Sequence, residues 1–236
     1  MSPAPAAPEV HIRRFAVRAD LDAALAERLR VALTAGASSA LMLSGGTTPG
    51  PAFSLLARQS VRAAPQLYVL YSDERHVPST SDASNYHLSL PLLEALALPA
   101  AQVLRVQTEL PLEAAAQAYE ERLQSLLSER LPVRLGLLGL GADGHTASLF
   151  KPADLAAARG RLAIPVQRPD GRTAVSVTPG WLAQVEEILF VVAGSDKRAA
   201  LTRLVARDPA LIAWCAVERC AQVEVWADGE AWPPPR

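Results

Sequence analysis

From Val10 onward, short runs rich in β-branched residues and leucine alternate with longer stretches whose apolar positions recur every three or four residues. The short runs predict strands at Ile12–Val17, Ala40–Leu43, Gln66–Tyr71, Val133–Leu138, Ile164–Val166, Ala174–Thr178, Ile188–Ala193 and Gln222–Trp226. The longer ones predict helices at Asp20–Leu33, Pro49–Arg58, Leu112–Arg130 and Asp196–Val205. Strands separated by helices imply parallel βαβ crossovers, hence an α/β fold whose sheet is covered on both faces. The unbroken apolar run Ile188–Ala193 agrees, because a strand buried on both sides has no polar face. No Ser/Gly linker, charge block or repeat divides the chain. Residues 10–231 therefore read as one domain, with loose ends at 1–9 and 232–236.

In open parallel sheets, ligands collect where strands give way to loops at their carboxyl ends. Four predicted strands end in polar or glycine-rich segments. The first runs into Ser44-Gly45-Gly46-Thr47-Thr48-Pro49. Two glycines allow a tight turn with exposed N–H groups, and a following helix N-terminus adds partial positive charge, which together suit a phosphate. A plain turn with Thr47 or Thr48 as helix cap is the other reading. The second is Tyr71-Ser72-Asp73-Glu74-Arg75-His76, followed by Ser84-Asn85-Tyr86. Arg75 can hold a phosphate through its planar fork, oriented by Asp73 or Glu74, although a surface ion-pair loop would look the same. His76, His87 and His11 read as surface or capping residues.

The third segment is the most specific: Gly139-Leu140-Gly141-Ala142-Asp143-Gly144-His145-Thr146-Ala147-Ser148-Leu149-Phe150. Its glycines spell the dinucleotide-binding G-x-G-x-x-G, but the string lies past mid-chain and no acid follows about 20 residues on to hold a ribose. Asp-Gly-His also places ionisable groups inside the loop. A nicotinamide cofactor is thus disfavoured, whereas His145 with Asp143 two residues away suits general base catalysis. The fourth is Gly194-Ser195-Asp196-Lys197, where Ser195 or Asp196 is expected to cap a helix that carries Lys197 in its first turn. A cation there opposes the helix dipole.

Composition sharpens that last point. Of 23 basic residues only Lys151 and Lys197 are lysine, the other 21 being arginine, so Lys197 is unexpected both in type and in position, and a compact ammonium aimed at a phosphate would explain both. The chain is 50% hydrophobic with a net charge of −1, which gives no general reason to expect nucleic acid or an anionic membrane as partner. Two cysteines, Cys215 and Cys220, match no zinc pattern and read as reduced thiols of a cytoplasmic protein. No apolar run approaches the roughly 18 residues of a membrane span.

Taken together, Ser44-Gly45-Gly46, Asp73-Glu74-Arg75 with Ser84-Asn85-Tyr86, the Gly139-to-Phe150 string, and Gly194 with Lys197 resemble the motifs of the 6-phosphogluconolactonases. The resemblance runs in order through nearly the whole chain. It implies a Rossmann-like three-layer αβα sandwich with a mainly parallel sheet, shared with glucosamine-6-phosphate deaminase. It also implies hydrolysis of 6-phospho-D-glucono-1,5-lactone in the oxidative pentose phosphate pathway, without metal or organic cofactor. His145 and Asp143 would then be catalytic, and Ser44, Gly45, Gly46, Thr47, Asp73, Arg75, Asn85 and Lys197 would bind the substrate and its phosphate. The expected partner is a small sugar-phosphate lactone, in a monomer or weak homo-oligomer.

The deaminases are the competing reading. After Asp-Gly-His they carry a run ending in Asn-Glu-Pro, whose glutamate supports ring opening, whereas this chain has Leu149, Phe150 and Lys151. A non-catalytic sugar-phosphate sensor is a third reading, which the retained Asp143 and His145 oppose. In one place the chain departs from the lactonase pattern. An arginine often precedes the Val-Thr-Leu-Thr strand, but here Ala174 stands there and Arg172 lies two residues earlier.

Overall fold

The computed structural model describes residues 8–59 and 61–234. Ten strands form two sheets: β1 (Val10–Phe15), β2 (Ser39–Leu43), β3 (Leu67–Tyr71), β4 (Asp73–Arg75), β5 (Val103–Leu104), β6 (Val133–Gly139), β7 (Ala163–Gln167), β8 (Thr173–Val177), β9 (Ile188–Val192) and β10 (Val223–Asp228). Seven of them make a parallel sheet in the order β1-β10-β9-β6-β2-β3-β5. The helices are α1 (Arg18–Thr34), α2 (Gly50–Ala57), α3 (Asn85–Ala95), α4 (Leu112–Ser128), α5 (Pro152–Ala157), α6 (Pro179–Leu182), α7 (Arg198–Val205) and α8 (Ile212–Val217).

Strand alternation divides the core in two. On β9, Ile188, Phe190 and Val192 point into one cluster with α4, α7 and α8, while Leu189 and Val191 point into another with α1, α2 and α3. Every residue of β2 and β9 is buried, so these central strands have no solvent face. All eight predicted strands and all four predicted helices form, with bounds within two residues of those expected.

Three differences matter for the site. First, β7 and β8 are not parallel members of the main sheet. They pair antiparallel with each other and with β4, in the order β4-β8-β7. Second, Asp73–Arg75 is that small sheet's edge strand rather than a loop, with Arg75 opposite Ala174. Third, α3 escaped notice because Pro91 interrupts its pattern, although Ser84 caps it by accepting the His87 N–H. The helices α5, α6 and α8 have six residues or fewer, too short to show a period.

Of the expected loose ends, residues 1–7 and 235–236 lie outside the described residues. Trp232 does not hang free: it packs against the core, and its carbonyl accepts Arg14 Nε at 2.9 Å.

The chain builds the main sheet outward in two directions. From β2 it moves through β3 to β5, then returns to β6 on the other side of β2 and moves through β9 to β10. Loops leaving β2 and β6 therefore diverge, and a crevice opens between them at the carboxyl ends of the strands.

Candidate active site

A cavity of about 360 Å³ occupies that crevice. Its lining comes from the loops after β2, β6 and β9, from β4, and from Asn85 at the start of α3. Of the ten residues singled out from sequence, Ser44, Gly45, Gly46, Thr47, Asp73, Arg75, Asn85, His145 and Lys197 line it directly. Asp143 stands outside the wall, behind His145.

The loop after β2 brings its backbone to the cavity through Ser44–Thr48. Pro49, rather than Thr47 or Thr48, occupies the N-cap of α2, and no side chain caps the helix or places an acid in its first turn. Those N–H groups are left available to a ligand. Gly45 is required for a different reason from turn geometry: a Cβ there would overlap the side-chain amide of Asn85.

Asn85 in turn organises the cationic wall. Its Oδ1 accepts from Arg75 Nη1, which also donates to the Ala83 carbonyl at 3.0 Å. Its Nδ2 donates to the Asp73 carbonyl at 2.8 Å. Arg75 is thus oriented by Asn85 and Ala83, not by Asp73 or Glu74 as expected. The two acids have separate tasks. Asp73 lines the cavity and accepts Ser148 Oγ at 2.7 Å. Glu74 is 1% exposed and points away, its carboxylate accepting the backbone N–H groups of Arg75, Asn85 and Tyr86. Burial pushes Glu74 above the usual carboxylate range against the pull of those backbone donors.

His145 on the opposite wall is held from behind by Asp143, whose Oδ1 accepts both its backbone N–H, at 3.2 Å, and its ring Nδ1, at 2.6 Å. Partial burial raises the Asp143 carboxyl, but the hydrogen bonds from His145 outweigh it and hold the group below its ordinary range. Gly141 is the second glycine with no substitute, since a Cβ there would overlap both Asp143 Oδ1 and the His145 ring. The ring also packs against Phe150, with centroids 4.4 Å apart and planes tilted by 36°.

Lys197 reaches the cavity from a short 3₁₀ turn, Ser195–Lys197, that precedes α7. Neither Ser195 nor Asp196 caps a helix, contrary to expectation. Asp196 instead pairs with Lys197 Nζ at 2.9 Å, and both line the cavity.

Sequence reading missed two cations on the wall, Arg18 and Arg168. Arg18 bonds Asp22 and the Thr48 carbonyl, at 2.7 and 2.6 Å, and so ties α1 to the loop after β2. Among 21 arginines neither had any contrast to mark it. Arg172, two residues before Ala174, is exposed and does not reach this cavity. Four cations, Arg18, Arg75, Arg168 and Lys197, face two carboxylates, Asp73 and Asp196, around a space of small-molecule size. Such a surplus suits an anionic group on a compact polar ligand. Among the described residues, no cluster of His, Cys, Asp and Glu is arranged to hold a metal ion, and no helix is long and apolar enough to cross a membrane.

Comparison with known proteins agrees with this geometry. The family described as glucosamine-6-phosphate isomerases/6-phosphogluconolactonase matches residues 13–226. A 6-phosphogluconolactonase of Nostoc sp. is 34% identical over 173 residues, covering 70% of this chain and 71% of the relative. The crystal structure of 6-phosphogluconolactonase from Thermotoga maritima superimposes with a TM-score of 0.79 at 26% identity, over 93% of this chain and all of that one. A monomeric glucosamine-6-phosphate deaminase shares the fold at 19% identity and a TM-score of 0.73, over 94% of this chain and 98% of that one. The chain belongs to the glucosamine-6-phosphate isomerase/6-phosphogluconolactonase family.

Proposed function

We propose that this protein hydrolyses 6-phospho-D-glucono-1,5-lactone to 6-phosphogluconate. The observation that carries the reading is the pairing of His145 with Asp143 at one end of a cavity whose remaining wall is cationic. The substrate phosphate lies against the Ser44–Thr47 backbone, Arg75 and Lys197, with the lactone carbonyl toward the Gly141–His145 loop. An ionised carboxylate only accepts, so Asp143 holds the His145 proton on Nδ1 and leaves Nε2 with a lone pair. Nε2 takes a proton from water as its oxygen attacks C1, and the ring then returns that proton to the departing ring oxygen. Loop N–H groups or a neighbouring cation stabilise the oxyanion formed between those steps.

A deaminase must move a proton between carbons and open a ring, which calls for a further acid near the histidine. At the corresponding positions Leu149 is buried, Phe150 stacks on His145 and Lys151 is exposed. The simpler hydrolysis fits this equipment. Free thiols at Cys215 and Cys220 support a cytoplasmic setting.

Fresh lactone assayed with 6-phosphogluconate dehydrogenase as coupling enzyme, beside an ammonia-release assay on glucosamine 6-phosphate, tests the reading. Hydrolysis well above the spontaneous rate, with no ammonia, is the expected result. Ammonia release or a rate equal to the spontaneous one would overturn it.

A further inference from the structure

The cationic wall includes one arginine whose own contacts leave it incomplete. Arg168 opens the turn between β7 and β8, where its backbone N–H donates to the Arg172 carbonyl at 2.9 Å. Val166 lies opposite Ala174, so by strand alternation the side chains at 166, 168, 172 and 174 share one face of the small sheet. Ala174 is fully buried and offers only a methyl group, and the register makes Arg168 its diagonal neighbour across the hairpin.

The guanidinium of Arg168 is held on three sides. Its Cζ lies over the Phe150 ring, 5.0 Å from the ring centre, Nη1 donates to Ser148 Oγ at 2.9 Å, and Nε makes a long 3.4 Å contact with Asp170. Among the described residues Nη2 makes no hydrogen bond, although only 14% of the side chain is exposed. Nη2 is not sealed from solvent, so this guanidinium is held by its other atoms and keeps a donor open to a ligand. Arg168 borders the main cavity and also a second one of about 520 Å³. Gly45, Gly46, Thr47 and Arg75 border the same two spaces, so Arg168 belongs to the end of the site where the loop after β2 and Arg75 meet. Ser148 is fixed in turn by donating to Asp73, so the fork is preset before any ligand arrives.

We propose that Arg168 is a direct ligand of the substrate's phosphate, reaching it from the small-sheet side while Lys197 reaches it from the main sheet. The inference rests on the lactonase reading for the identity of the substrate, but its chemistry requires only a phosphate monoester.

Isothermal titration with 6-phosphogluconate and with inorganic phosphate, on wild type and on Arg168→Ala, Arg168→Lys and Arg172→Ala, tests it. For Arg168→Ala, affinity for both probes falls about ten- to a hundredfold, the scale of one charge-assisted pair, and KM for the lactone rises in parallel while kcat changes less. Arg168→Lys recovers part of the loss, because charge remains while the fork is gone. Arg172→Ala stays within twofold of wild type. Thermal melting of each variant checks that it is folded. Affinities of folded Arg168→Ala within twofold of wild type, or a fall confined to kcat, would overturn the assignment. A wild-type protein that binds phosphate but fails to hydrolyse the lactone defeats the lactonase reading and leaves Arg168 to be judged by the titrations.

Discussion

His145 and Asp143 are joined twice across a single glycine, through the backbone N–H at 3.2 Å and the ring Nδ1 at 2.6 Å, to the same carboxylate oxygen. Both bonds fix the imidazole, and only the second sets its tautomer. His145→Ala is expected to lower kcat by about 10²–10⁴ with little change in KM. Asp143→Asn retains an acceptor for Nδ1–H and loses less than Asp143→Ala. Steady-state kinetics on fresh lactone decide it, and near wild-type turnover in His145→Ala would remove the histidine from the mechanism.

On the proposed reading, the Asp196–Lys197 pair sets the strength of the phosphate site. Lys197→Ala raises KM about tenfold or more, since one charge-assisted contact is lost. Lys197→Arg keeps the charge but not the compact ammonium, and KM still rises. Asp196→Asn frees the lysine from its 2.9 Å partner, so KM falls, by roughly two- to fivefold on the scale of a screened surface pair. If Asp196→Asn weakens binding instead, the carboxylate helps to aim the lysine rather than competing with the substrate.

Gly45→Ala forces a methyl group onto the Asn85 amide, which has no slack because it already holds Arg75 and Asp73. The variant loses about 1–3 kcal/mol of stability, as overpacking does in other tight interiors, and KM rises because Arg75 moves with Asn85. Denaturant unfolding and KM are measured together. A stable Gly45→Ala with normal kinetics would show that the loop after β2 can shift without cost.

Glu74 supplies a pH test remote from the chemistry. Its folded-state carboxyl is raised, so the folded protein holds this proton where the unfolded chain has released it. The contribution to stability is greatest below the unfolded carboxylate pKa and is lost as pH rises through the raised folded value. Glu74→Gln removes this dependence, and its unfolding free energy falls less steeply with pH over that window. The same variant is less stable by about 1–3 kcal/mol at low pH, because Gln lacks an acceptor for one of the donors that Glu74 serves, such as the Tyr86 N–H. Chemical denaturation from the ordinary carboxylate range upward reads both effects, and parallel pH curves for the two proteins would contradict the raised carboxyl.

The main sheet was legible because its central strands are apolar on both faces, so Ile188–Val192 and Ala40–Leu43 announce themselves as short unbroken runs. Nine of the ten candidate residues lie on the cavity wall because strand ends point there by topology. What stayed hidden depends on pairing across long separations. Nothing local tells that Asp73–Arg75 pairs with Thr173–Val177, or that Ser148 donates to Asp73 from 75 positions away. Without the β4–β8 pairing, Asp73 and Glu74 could not be told apart and Arg168 could not be placed. The absent arginine at Ala174 drew attention to Arg172, two residues away along the chain, when the useful neighbour lay across the hairpin.

The outward construction of the main sheet in two directions also bears on how the molecule assembles. The loop after β2 and the loop after β6 meet only after β6 has inserted between β2 and β9, and β1 finds its partner only in β10, the last strand. Such distant pairings carry a loop-closure cost and slow folding. A partly folded chain can hold either loop but not the cavity between them. On the proposed reading, phosphate binding therefore reports on completion of the sheet, and a sugar phosphate present during refolding selects the finished molecule from its precursors.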